Sequence, residues 1–286
     1  MTDQAQNLRN KLMGHAEKKN TKALAIVSGK GGVGKSNFSL NFSISLVKRG
    51  YRVLIIDMDV GMGNLDILMG RTSEKTIVDY LTGSLPLRDI IHDGPEGLKY
   101  IGGGTGLSQL VNLDRFNYLA DELEALLIEY DYLIFDMGAG INEDSLRFLL
   151  SVNEIFVITT PEPTSLMDAY ATMKYLHLLD PSLPFYLLVN RAQSMKEGKE
   201  TLNRLSNVLK TFLDLEPIHL GVLPDDRSVQ QAVRRQVPFI TLYPKSFVSN
   251  ALEDIVSSYV QQIIKAGTSD TSISFMSKLK RFLFER

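Results

Sequence analysis

Gly29-Lys30-Gly31-Gly32-Val33-Gly34-Lys35-Ser36 packs four glycines, two lysines and a hydroxyl into one octet. It follows a β-branched run, Ala23–Ser28, and opens an amphipathic stretch, Lys35–Lys48. The pattern G-x-x-x-x-G-K-[ST] between a strand and a helix is a phosphate-binding loop. Glycines let backbone N–H groups crowd round phosphate oxygens without Cβ clashes. The helix adds unpaired amino-terminal N–H groups and the positive end of its dipole. Lys35 can supply a point charge to the β- and γ-phosphates, and the Ser36 hydroxyl can ligate Mg²⁺.

Carboxylates come next. Asp57 and Asp59 stand at i and i+2 at the end of the apolar run Arg52–Asp57, so an extended backbone points both to the same side. There they can reach a metal ion or an attacking water. Leu133-Ile134-Phe135-Asp136 is an apolar strand ending in one acid, the form that holds Mg²⁺ beside a phosphate loop. Asn190-Arg191 and Pro224-Asp225-Asp226 each follow an apolar run, where such residues are also ordinary turn formers. Gly102-Gly103-Gly104-Thr105-Gly106 is a second glycine-rich string. It lacks a lysine and a helix start, and it reads as a flexible surface loop.

These groups need a scaffold. Ala23–Ser28, Arg52–Asp57, Tyr132–Asp136, Ile155–Thr159, Phe185–Asn190 and Ile218–Leu223 are continuous apolar runs, as expected of strands covered on both faces; Leu98–Ile101 is a weaker one. Between them Lys35–Lys48, Leu113–Glu129, Pro163–Leu179, Lys196–Leu213 and Ser246–Ile264 read as helices. The alternation predicts an α/β fold with a doubly wound, mostly parallel sheet and ligands beyond the carboxyl ends of its strands. Residues 1–22 form a polar extension, 23–265 the nucleotide-binding domain, and 266–286 a linker and terminal helix.

Composition narrows the chemistry. The 286 residues contain no cysteine, which removes disulfides, thiol catalysis and cysteine-ligated clusters. His15, His92, His177 and His219 are scattered without ligand spacing. A net charge of −2 gives no general grip on nucleic acid. There is no run of about 18 apolar residues to span a bilayer, and the polar start is not a secretory signal. A cytoplasmic protein is expected.

At the other end, Phe275, Met276, Leu279, Phe282 and Leu283 fall on one arc of ~120° at helical pitch, with Lys278 and Arg281 opposite. The segment can fold on an anionic membrane or on the protein's own groove. The polar linker Gly267–Ser274 argues against permanent docking, so a reversible membrane anchor is expected.

The second loop lysine, Lys30, lies outside the general phosphate-loop pattern. Lys-Gly-Gly-x-Gly-Lys-Ser resembles the deviant Walker A signature of the MinD/ParA/nitrogenase-iron-protein class. The run from Asp57 to Asp66 resembles that class's switch I, D-x-D-x-G-x-x-N-L-D. Met137-Gly138-Ala139-Gly140 is similar to its switch II, with glycine where proline is common. The resemblance implies an ATPase with Mg²⁺ that dimerises on ATP. Lys30 would act across the dimer interface and Asp59 would position the attacking water. Asp57 would lie near the metal held by Ser36 and Asp136, and Asn190, Arg191 and Asp225 would hold the adenine. Zero cysteines exclude the iron protein. Asp3-Gln4-Ala5-Gln6-Asn7-Leu8-Arg9 matches D-Q-A-x-x-L-R, which resembles an element of the flagellar number regulators (the FlhG group). There Asp3, Gln4, Ala5, Leu8 and Arg9 would contact a signal-recognition-type GTPase, FlhF, and switch-complex (C-ring) proteins would be further partners. The alternative within the class is a division-site or DNA-partition ATPase.

Overall fold

The computed structural model describes residues 21–59, 63–83, 85–104, 122–140, 143–266 and 275–284. β1 (Lys22–Val27) is followed by α1 (Lys35–Lys48), β2 (Val53–Met58), the short α2 (Asn64–Met69) and α3 (Ile77–Leu81), β3 (His92–Asp93) and β4 (Lys99–Ile101). Then come α4 (residues 122–127), β5 (Tyr132–Met137), α5 (Glu143–Ser151), β6 (Glu154–Thr159), α6 (Pro163–Leu179), β7 (Phe185–Ala192) and α7 (Met195–Leu213). β8 (Ile218–Pro224), α8 (Arg227–Arg235), α9 (Phe239–Leu242), α10 (Phe247–Ala266) and α11 (Phe275–Phe284) complete the described chain.

The eight strands form one sheet in the order β3-β4-β2-β5-β1-β6-β7-β8. All neighbours are parallel except β3 and β4. Buried on both faces, β1, β5 and β6 are apolar except at Lys22, Asp136, Glu154 and Thr159, and they occupy the middle. The order reverses around β1, whose carboxyl end therefore opens the crevice where ligands bind in such sheets.

One apolar layer packs α1 and α10 on the sheet through Phe38, Phe42, Leu252 and Tyr259. The other packs α5, α6, α7 and α11 through Phe148, Met173, Leu205 and Phe275. α1 is buried nearly all round, and its interior polar positions are small residues that bond within the fold. Ser43 donates to the Ser39 carbonyl, and the Asn41 side chain accepts from the Ile240 N–H at 3.0 Å. At the amino rim of the sheet, Lys22 pairs with buried Glu154, which also accepts the Tyr259 hydroxyl at 2.7 Å. This anchors the start of β1 at the rim opposite the phosphate loop.

One expectation is corrected, and a second acquires a docked state. Gly102, Gly103 and Gly104 are buried, not a surface loop, because Gly102 bridges Thr76 and its carbonyl accepts the Ile77 N–H at 2.9 Å. Thr105 and Gly106 lie outside the described residues. The C-terminal helix is docked. Phe275 (2% exposed), Met276 (4%) and Leu279 (2%) face α5 and the sheet, while Lys278 pairs with Asp180 at 3.8 Å. An apolar arc has no use for water whatever linker precedes it, and the groove beside α5 accepts it. α11 continues past Phe282 and Leu283, whose side chains are outside those described.

Candidate nucleotide site

The phosphate loop leaves the carboxyl end of β1 and enters α1 through Gly34, at φ +94°, with no side chain capping the helix. A left-handed turn there needs glycine. The uncapped first turn leaves backbone N–H groups for an anion, a good fit for a phosphate chain. Gly29 is fixed for a different reason: a Cβ would stand 2.3 Å from the Asp168 backbone, so α6 presses on the loop. Gly31, Gly32 and Val33 complete the turn, Gly32 at φ +79°.

Lys35 and Asp136 meet. The buried Lys35 ammonium donates to Asp136 Oδ1 at 3.2 Å, and Ser39, one helical turn on, donates to the same oxygen at 3.0 Å. Ser36 lies close enough to favour the charged form of this carboxylate, so Ser36 and Asp136 are neighbours. Burial pushes the Asp136 carboxyl up from its ordinary range, against the opposing pull of Lys35, Ser36 and Ser39. Asp136 Oδ2 is buried with no hydrogen-bond partner among the described residues. A carboxylate oxygen left bare beside a hydroxyl is a fit for Mg²⁺, which takes such oxygens at the phosphate end of a nucleotide.

Asp57, adjacent to Asp136 across the β2–β5 ladder, is fully buried. Its Oδ1 accepts the Asp59 N–H at 3.0 Å and its Oδ2 the Leu65 N–H at 3.3 Å. Both oxygens thus accept backbone N–H groups, so Asp57 clamps Asp59 and Leu65 together beside Asp136. Burial first, then the charge of Asp136, push its pKa up to about 7. Asp59, half-buried, accepts the Asn64 amide at 2.8 Å. Gly138 lets it approach the second switch: a Cβ there would be 3.2 Å from Asp59 Oδ1. Residues 60–62, within the first of these motifs, and 141–142, directly after the second, lie outside the described residues.

Lys30 points elsewhere. Its ammonium is 3.2 Å from Glu162 Oε2 and 3.3 Å from Thr164 Oγ1, at the start of α6 and in solvent. Asn190 reaches back to the loop, donating to the Val33 carbonyl at 2.8 Å, and its own Oδ1 accepts the Arg191 N–H. It braces the phosphate loop, with one amide hydrogen left for a base edge. Arg191, at φ +56°, and Asp225 are exposed at the ends of β7 and β8. Asp226 turns inward to cap α8, accepting the Ser228 N–H at 2.8 Å.

Sequence reasoning brings Gly29–Ser36, Asp57, Asp59, Asp136 and Asn190 to one end of the sheet. It missed Ser39, Glu162, Thr164 and Asp168, and assigned Asn64 no part. Ser39 was legible one turn after Lys35; the others carry no local signal. Asp3, Gln4, Ala5, Leu8 and Arg9 lie outside the described residues. Phe275, Met276 and Leu279 are remote from the loop but not unconnected. The Phe275 ring lies 5.9 Å from Phe148 of α5, which follows the second switch.

Residues 24–239 match the family model described as "CobQ/CobB/MinD/ParA nucleotide binding domain". The chain is 34% identical to the antiactivator FleN of Pseudomonas aeruginosa over 81% of this chain and 84% of that one. It is 33% identical to the flagellum site-determining protein YlxH of Helicobacter pylori over 98% and 96%. Among solved structures it superposes on the Pyrococcus horikoshii septum site-determining protein MinD complexed with Mg-ADP. There the TM-score is 0.72 with 24% identity, over 86% of this chain and 99% of that one. The chain belongs to the CobQ/CobB/MinD/ParA nucleotide-binding family, as a MinD/ParA-type ATPase of the group that includes FleN and YlxH.

Proposed function

We propose that this ATPase is a dimerising switch that sets flagellar number and placement from the inner face of the cell membrane. The flagellar part rests on the likeness to FleN and YlxH. The switch rests chiefly on one observation: Phe275 of α11 lies against Phe135, next to Asp136, and against Phe148. The face expected to meet lipid is therefore buried on the elements that carry the nucleotide site.

The chemistry follows from the site. Bound Mg²⁺ would neutralise phosphate charge, with Ser36 and Asp136 as the residues to hold it. Lys35 is already at that end of the sheet, balanced on Asp136. Asp59, braced by Asn64, orients the water. Lys30 leaves Glu162 and Thr164 of its own subunit to neutralise charge on the nucleotide of a second copy, which makes dimerisation depend on ATP. Adenine lies by Asn190, Arg191 and Asp225. Dimer formation repositions the second switch and α5, the seat of α11 loosens, and Phe275, Met276, Leu279, Phe282 and Leu283 turn to anionic lipid. Each apolar side chain transferred carries roughly 1.5–3 kcal/mol at most in either seat, so a modest bias selects between them.

Residues 1–22 are the partner-binding extension. The strand that follows it, β1, starts at the rim opposite the phosphate loop, and the flagellar GTPase FlhF is the partner proposed for the extension. C-ring proteins are the second proposed partner. Liposome co-sedimentation with ATP and with ADP tests the switch: binding is expected with ATP alone, and equal sedimentation in both overturns it.

A further inference from the structure

Gly103 is buried behind Asp57. A Cβ built on it would stand 2.9 Å from Asp57 Cγ and 3.1 Å from each carboxylate oxygen, with no other atom as close. Gly103 is not among the residues at positive φ, so its backbone does not itself demand glycine, and the Asp57 carboxyl is the nearest obstacle to a side chain. The segment is itself held. Gly102 bridges Thr76 and accepts the Ile77 N–H, and Gly104 turns at φ +74° against Thr76. On its other side Asp57 accepts the N–H groups of Asp59 and Leu65. The Asp57 carboxyl is thus a spacer between a fixed backbone plate and the turn that carries Asp59.

We propose that Gly102–Gly104 is a positioning element for ATP hydrolysis: the Gly103 backbone sets the depth of the Asp57 carboxyl, and through it the position of Asp59. No atom of the segment touches substrate. A side chain at 103 drives Asp57 toward Asp59, and a displacement of about 1 Å at the reacting groups can cost about 10²-fold in rate. This rests on the reading that Asp59 orients that water.

The test is Gly103→Ala, measured beside Asp59→Ala, Asp57→Ala and the Gly103→Ala/Asp57→Ala double variant. Single-turnover ATP hydrolysis is read together with binding of a fluorescent ATP analogue and dimer mass with ATP. Gly103→Ala is expected to slow hydrolysis on the order of 10–100-fold, with analogue affinity changed less than about threefold. In the Asp57→Ala background the alanine has room, and its further effect should be less than about twofold. If Gly103→Ala does not fold alone, the double variant should, since the three atoms nearest to the added Cβ all belong to the Asp57 carboxyl. Wild-type hydrolysis by Gly103→Ala overturns the proposal, as does equal loss of binding and turnover, a full additive loss in the double variant, or failure of both to fold. If Asp59→Ala hydrolyses normally, the water reading itself has failed, a result distinct from these.

Discussion

The Phe275 ring lies 5.9 Å from the Phe135 ring, and Phe135 is the residue before Asp136. One side chain of the terminal helix thus touches the strand that ends in the buried carboxylate of the nucleotide site. Phe148 closes the triangle, 4.4 Å from Phe135. Packed aromatic clusters of this kind resist small deformations and change by discrete rearrangement, which suits a seat that is either filled or vacated.

Lys30→Ala should abolish the ATP-dependent dimer while leaving ATP binding by the monomer within about threefold, since Lys30 in its own subunit contacts Glu162 and Thr164 and not the loop backbone. Light scattering with ATP and Mg²⁺ reads it. A variant that still dimerises removes Lys30 from the interface.

Asp59→Ala should retain ATP and the dimer while hydrolysis falls about 10²-fold or more. Water positioning counts in the transition state far more than in ground-state binding. Phosphate release under saturating ATP checks this, and a normal rate transfers the role to another residue.

The buried Asp57 makes the nucleotide-free protein sensitive to pH. Its pKa is pushed from 3.8 to about 7. A carboxyl raised on folding contributes stability that is full below about 4 and is lost as pH rises toward about 7. The contribution is up to roughly 4 kcal/mol, or several degrees of melting temperature. Asp57→Asn should flatten that part of the pH profile between pH 4 and 7. Parallel profiles for both proteins would show that Asp57 titrates unshifted.

Phe282→Glu should abolish sedimentation with anionic liposomes by placing a charge on the lipid-facing arc. Raised salt should weaken wild-type binding, as Lys278 and Lys280 lose their attraction to the surface. Unaltered sedimentation of a chain truncated at Gly267 would contradict the anchor.

A peptide of residues 1–22 should raise GTP hydrolysis by the flagellar signal-recognition-type GTPase without the ATPase domain. Gln4→Ala or Leu8→Ala should cut the stimulation. No acceleration at saturating peptide would deprive the extension of its partner.

The sheet was legible because its central strands are buried on both faces. β1, β2, β5, β6, β7 and β8 stand within a residue or two of the apolar runs that announce them. α2 and α3 are too short for a helical period to show, and α8 buries only Ala232 within a strongly polar run. At the site, the loop and the acids at 57, 59 and 136 were legible as contiguous strings. Lys30 with Glu162, and Gly103 with Asp57, join distant segments, and no local pattern marks either pair. The docking of α11 was hidden for another reason. The same apolar arc serves a membrane and a groove equally well, and only the tertiary structure shows the groove.

Hydrogen exchange across residues 275–284, compared between the nucleotide-free protein and the Asp59→Ala protein locked with ATP and Mg²⁺, tests the central claim most directly. Nucleotide-linked release of α11 predicts amides protected without nucleotide and exchanging at least about tenfold faster in the ATP dimer, with re-protection when anionic vesicles are added. Protection that stays the same in the monomer and the ATP dimer would mean that α11 is a permanent part of the core, and that the account of the switch is wrong.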